Sequence, residues 1–96
     1  MKKRNEMKED FYKNLKEKLE TQTEFPHVYM YKFIIPSDNE KLAMVQALFS
    51  DTAQVTTRQS SSNKFISITA KEMAISAEEI IAIYKKAEKI EGIISL

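Results

Sequence analysis

The chain has no cysteine and no tryptophan, and a single glycine among its 96 residues. Lack of cysteine excludes disulfides, thiolate nucleophiles and sulfur metal sites together, and fits a reducing compartment. With Gly92 as the only glycine, no glycine-rich phosphate cradle can form, because such loops need several backbone positions without a Cβ. An excess of charge is missing too. Fifteen Lys and Arg stand against 14 Asp and Glu, too even a balance to draw the chain non-specifically to nucleic acid or anionic lipid. No window approaches the roughly 18 apolar residues of a membrane span. The charged stretch after Lys2, Lys3 and Arg4 contains no apolar core of a signal peptide. These absences predict a soluble cytoplasmic protein without a cofactor, and a length that suits one core.

Hydrophobic periodicity organises the chain. Met7, Phe11, Leu15 and Leu19, widened by Tyr12, form a stripe at a spacing of four, which predicts an amphipathic N-terminal helix that must cover its own domain or another chain. Pro26 ends it, so residues 1–24 read as helix and linker and 25–96 as the domain proper. Residues 27–35 (HVYMYKFII) predict a central strand with Tyr29, Tyr31, Phe33 and Ile35 on one face and Val28, Met30, Lys32 and Ile34 on the other. Ser37 with Glu40, or Asp38 in its place, caps a helix over 39–49 with Leu42, Val45 and Phe49 inward. A polar edge strand at 53–59, a turn at 60–63 with Asn63 in the left-handed conformation, and an alternating strand at 64–71 predict a hairpin. Ser76 with Glu79 caps the last helix, whose buried stripe is Ala77, Ile80, Ile81, Tyr84 and Ala87. Gly92 follows as a C-terminal stop, and 93–96 form a short strand.

Read in order, this is an α+β chain, a helix and then β-α-β-β-α-β. Right-handed crossovers make it a ferredoxin-like sandwich, a four-stranded antiparallel sheet with two helices on one face. If Tyr31, Phe33, Ile66 and Ile68 face the helices, the opposite face presents Met30, Lys32, Arg58, Phe65, Ser67 and Thr69.

Three motifs resemble a known family. They are Phe25-Pro26-x-x-Tyr29-x-Tyr31-Lys32-Phe33-Ile34-Ile35-Pro36, then Ser62-Asn63-Lys64-Phe65-x-Ser67-Ile68-Thr69, and the ending Glu91-Gly92-Ile93-Ile94-Ser95-Leu96. Their order and spacing resemble the small bacterial YbeD-like proteins of unknown function. The resemblance implies a ferredoxin-like fold similar to the ACT regulatory domains, which bind amino acids and tune enzymes, and it implies no activity. Where ACT domains resemble one another in a small or glycine residue between first strand and first helix, this chain has Pro36-Ser37-Asp38.

Catalytic chemistry finds little material. His27 is the only histidine, and the carboxylates Asp38, Glu40, Glu78 and Glu79 stand where helix caps and first turns already account for them. The expectation is therefore a non-enzymatic regulatory or protein-interaction module of the ACT-like type, working through the open sheet face or a sheet edge. Met30, Lys32, Arg58, Lys64 and Phe65 are its candidate binding residues. The N-terminal helix would cover part of that face, and a protein partner or a homodimer would occupy it. A small-molecule ligand stays open, and no metal is expected. The alternative is single-stranded RNA on the same face, with Tyr31 and Phe65 as stacking platforms beside Lys32, Arg58 and Lys64. The third strand lacks the basic-Gly-aromatic pattern of an RNA-recognition motif, which sets nucleic acid second.

Overall fold

The computed structural model describes the backbone from Arg4 to Leu96 and the side chains from Glu9 onward. Its elements run α1 (Arg4–Gln22), β1 (His27–Pro36), α2 (Asn39–Gln46), β2 (Gln54–Gln59), β3 (Phe65–Ala74), α3 (Ala77–Ala87) and β4 (Ile94–Ser95). This is an α+β fold of three helices and a four-stranded sheet in the order β2-β3-β1-β4, every pairing antiparallel. β1 and β3 pair along their whole lengths, from His27 opposite Ala74 to Pro36 opposite Phe65. At their far end the 60–63 turn closes the β2–β3 hairpin with Asn63 at φ 59, the left-handed conformation that asparagine tolerates.

The expected parity of the sheet holds. Tyr31, Phe33, Ile35, Ile66, Ile68 and Ala70 are buried against Val45 of α2 and Ile80, Tyr84 and Ala87 of α3. Phe33 is fully buried, and its ring lies 5.9 Å from that of Tyr84 and 6.5 Å from that of Phe49. Each such fully buried side chain contributes about 1.5–3 kcal/mol.

Local chemistry sets most element ends. Asp38 caps α2, its carboxylate accepting from the backbone N–H of Glu40 at 2.8 Å and Lys41 at 3.2 Å. Ser37 does not cap; its hydroxyl accepts instead from Gln59 Nε2 at 2.8 Å. Replacing Asp38 by Ala should therefore lower stability by about 1 kcal/mol. Ser37→Ala should lower it less, and a pair of urea titrations would rank the two. Helix α2 ends at Gln46, three residues short of the expected Phe49, and the turns that follow let the Phe49 ring reach Tyr31 at 5.2 Å. Ser76 caps α3 by accepting from Glu79 N–H. Strand β3 runs three residues past the expected Lys71, to Ala74. Gly92 sits at φ +81, where a Cβ would meet Pro36 Cγ at 3.0 Å, so a side chain there would be strained both in conformation and in space.

The first helix departs from its expected stripe. Tyr12 and Leu19 are buried and Leu15 is half-buried, whereas Phe11 is 61% exposed; Met7 lies outside the described side chains. Helix α1 packs on α3, not on the open sheet face. Tyr12 Oη donates to Glu88 Oε2 at 2.5 Å, Lys85 Nζ lies 5.5 Å from the Tyr12 ring centre, and Lys16 and Lys85 face Glu78 and Glu9 at 3.9 and 4.0 Å. The exposed ion pairs add little. The buried tyrosine and leucine decide where the helix lies.

Candidate binding face

The side of the sheet away from the helices has no covering element among the described residues. Cross-strand register orders its side chains into rows, because directly paired residues project from the same face. Gln54, Lys71 and Met30 form one row, Thr56, Thr69 and Lys32 the next, and Arg58, Ser67, Ile34 and Ile94 a third. Rows stand roughly 6–7 Å apart and strands about 4.8 Å apart. Beyond the first row lie Val28 and Met73, and beyond the third lies Phe65. The face is thus basic and polar along its middle, with apolar groups toward both ends.

Two shallow grooves cross it. One, of about 470 Å³, is bounded by Ile34, Arg58, Phe65 and Ser67 and by the start of the 60–63 turn. The other, of about 310 Å³, is bounded by Met30, Lys32, Gln54, Thr56, Thr69 and Lys71. Four of the five expected binding residues, Met30, Lys32, Arg58 and Phe65, therefore lie on this one face along its grooves. Lys64 does not; it stands exposed just before β3 begins and bounds neither groove. Met30 and Phe65 remain about half exposed.

The cations Lys32, Arg58 and Lys71 are joined by no acid at any strand position of the face, although the whole chain is nearly neutral. Lys71, Met73 and Ile94 were not among the expected residues of this face. Period two counted onward from Phe65, Ser67 and Thr69 would have found the first two, but Ile94 reaches the face only because β4 pairs it with Ile34.

Tyr31 belongs to the opposite side. It is 1% exposed, packed between Tyr29 and Tyr84, and cannot stack a base on the open face. Tyr29 and Tyr84 share a hydroxyl hydrogen bond at 3.0 Å. Burial pushes the Tyr12, Tyr31 and Tyr84 phenols up from their ordinary value. Next in weight come the Glu88 bond for Tyr12, the charge of Glu72 for Tyr31, and the Tyr29 bond for Tyr84. His27 is exposed at the start of β1, and no carboxylate among the described residues is bonded to it. No group of three or more His, Asp or Glu that could hold a metal occurs among the described residues. None of their helices is long and apolar enough to cross a membrane.

The family described as protein of unknown function (DUF493) matches residues 20–96. No curated protein and no solved structure matches the chain. The chain belongs to the DUF493 family, the YbeD-like group that its motifs resemble.

Proposed function

We propose that this member of the DUF493 family is a non-catalytic protein-interaction module of the regulatory, ACT-like kind, which receives an acidic and apolar surface of a partner protein on its open sheet face. The observation that carries this reading is the composition of that face. Lys32, Arg58 and Lys71 stand there without an acid, among Val28, Met30, Ile34, Phe65, Met73 and Ile94. Unbalanced charge steers a complementary partner, and apolar side chains left in water gain free energy when covered. The strand order β2-β3-β1-β4, with α2 and α3 against one face, supports reading the sheet as a ferredoxin-like plan of the ACT kind. RNA is the weaker reading, because Phe65 is the only aromatic ring on the face among the described residues and stacking modules use two or more.

Differential capture tests the proposal. Tagged wild-type protein and a Lys32→Glu/Arg58→Glu/Lys71→Glu variant are each exposed to lysate of the native cell, with Lys64→Glu as a charge control. One or more proteins retained by the wild type and the control and lost from the triple variant would support the reading. Identical retention by all three, or recovery of RNA alone, would overturn it.

A further inference from the structure

The outer edge of β1 is only half paired. Strand β4 covers Phe33 and Ile34, and Leu96 N–H donates to the Lys32 carbonyl at 2.9 Å; nothing described continues that ladder along residues 27–31. The direction of each backbone group follows from two bonds. Ser37 N–H points to Lys64 in the line of β3, so odd-numbered residues of β1 bond inward to β3. The Lys32 carbonyl points to the β4 side, so even-numbered residues bond outward. Val28 and Met30 therefore present N–H and C=O to the open edge, and no described group bonds them. Pro26, which has no N–H, bounds this window at one end, and Leu96 bounds it at the other.

We infer that a second copy of this chain occupies the window, β1 against β1 antiparallel about a two-fold axis at Tyr29. This register places Val28 of each copy opposite Met30 of the other, both with outward backbone groups, so each of these residues gains the N–H and C=O partners it lacks. Odd and even positions stay in phase, so both helix layers fall on one side and both open faces on the other, making one continuous sheet. The window is its own complement, which favours a copy over an unrelated strand.

The side chains agree. Val28, Met30 and the neighbouring Met73 are each about half exposed in one copy and would gather around the axis. On the helix side, Phe11, 61% exposed, and Leu15 line a cleft of about 200 Å³ with Tyr29, Tyr84 and Leu96 beside the same edge. Charge also favours the edge. Lys32 lies three residues from the axis, so the two Lys32 ammoniums stand roughly 20 Å apart, well beyond the Debye length of about 8 Å at physiological salt. A face-to-face pair would instead press one cation band on another. The open face remains free in the edge dimer, so this inference and the proposed function stand or fall separately.

Sedimentation equilibrium of the full chain across the micromolar range, with amide hydrogen exchange read by NMR, tests the dimer. The wild type is expected to sediment as a dimer, with the Val28 and Met30 amides gaining protection as concentration rises. Met30→Pro removes an outward N–H that β3 does not use, and Val28→Glu puts a charge beside the axis on an exposed position. Each should keep the far-ultraviolet circular dichroism of the fold and weaken dimerisation on the order of tenfold or more. Arg58→Glu should leave it unchanged. A monomer at every concentration overturns the inference. So does a dimer in which the Val28 and Met30 amides exchange freely, or one broken by Arg58→Glu and untouched by either β1 variant.

Discussion

Replacing Phe33 by alanine is expected to cost about 3–5 kcal/mol of folding stability, the range for emptying a fully buried aromatic site. The ring is closed in by Tyr31 of its own strand, Phe49 from the turns after α2 and Tyr84 of α3, so no single neighbour can move in to fill the space. Domains of this size hold about 5–15 kcal/mol in all, and the variant should therefore show a large shift of its urea midpoint or unfold at room temperature. Phe65→Ala supplies the contrast. That ring lies on the open face, 45% exposed, and its loss should change stability by about 0.5 kcal/mol. Equal losses at the two positions would mean that the sheet does not present its faces as described.

The second large effect is alkaline unfolding. Burial favours the neutral phenols of Tyr12, Tyr31 and Tyr84 and raises them above the ordinary tyrosine value. In the unfolded chain these groups release their protons near pH 10, about the unperturbed value, while in the folded chain they retain them. Above that pH the unfolded state binds fewer protons than the folded state, so stability falls as pH rises, by up to about 1.4 kcal/mol per pH unit for each tyrosine. The contribution is fully present below pH 10. Three such groups together reach about 4 kcal/mol per unit, enough to unfold a small domain within a few units. Near-ultraviolet absorbance of phenolate, followed with circular dichroism, should show these tyrosines ionising together as the fold is lost. Tyr84→Phe should reduce the slope by about a third. Complete ionisation near pH 10 with the fold intact would contradict the buried aromatic cluster.

Much of the architecture was legible because strand and helix periods are local. Alternation in 27–35 and 64–71 separated Tyr31, Phe33, Ile66 and Ile68 from Met30, Lys32, Phe65 and Ser67, and burial divides the same residues the same way. The second and third helices were announced by cap residues ahead of apolar stripes, and the hairpin by a polar turn with an asparagine able to take positive φ. Four of the five candidate binding residues could be placed on one face for the same reason: period two says which residues look the same way. Lys64 is not one of them: period two puts it in phase with Ile66 and Ile68, away from the open face, and the strand begins only after it, at Phe65.

What the sequence determined by itself was therefore the set of elements and the sidedness of each strand, properties that depend on residues a few positions apart. The tertiary structure alone decided where α1 lies, that Tyr12 and not Phe11 turns inward, and that β4 stops partway along β1 and leaves Val28 and Met30 open at the edge. A repeating pattern says which side chains share a surface. Which other surface meets it is settled by packing between segments far apart in the chain, and no local period encodes that.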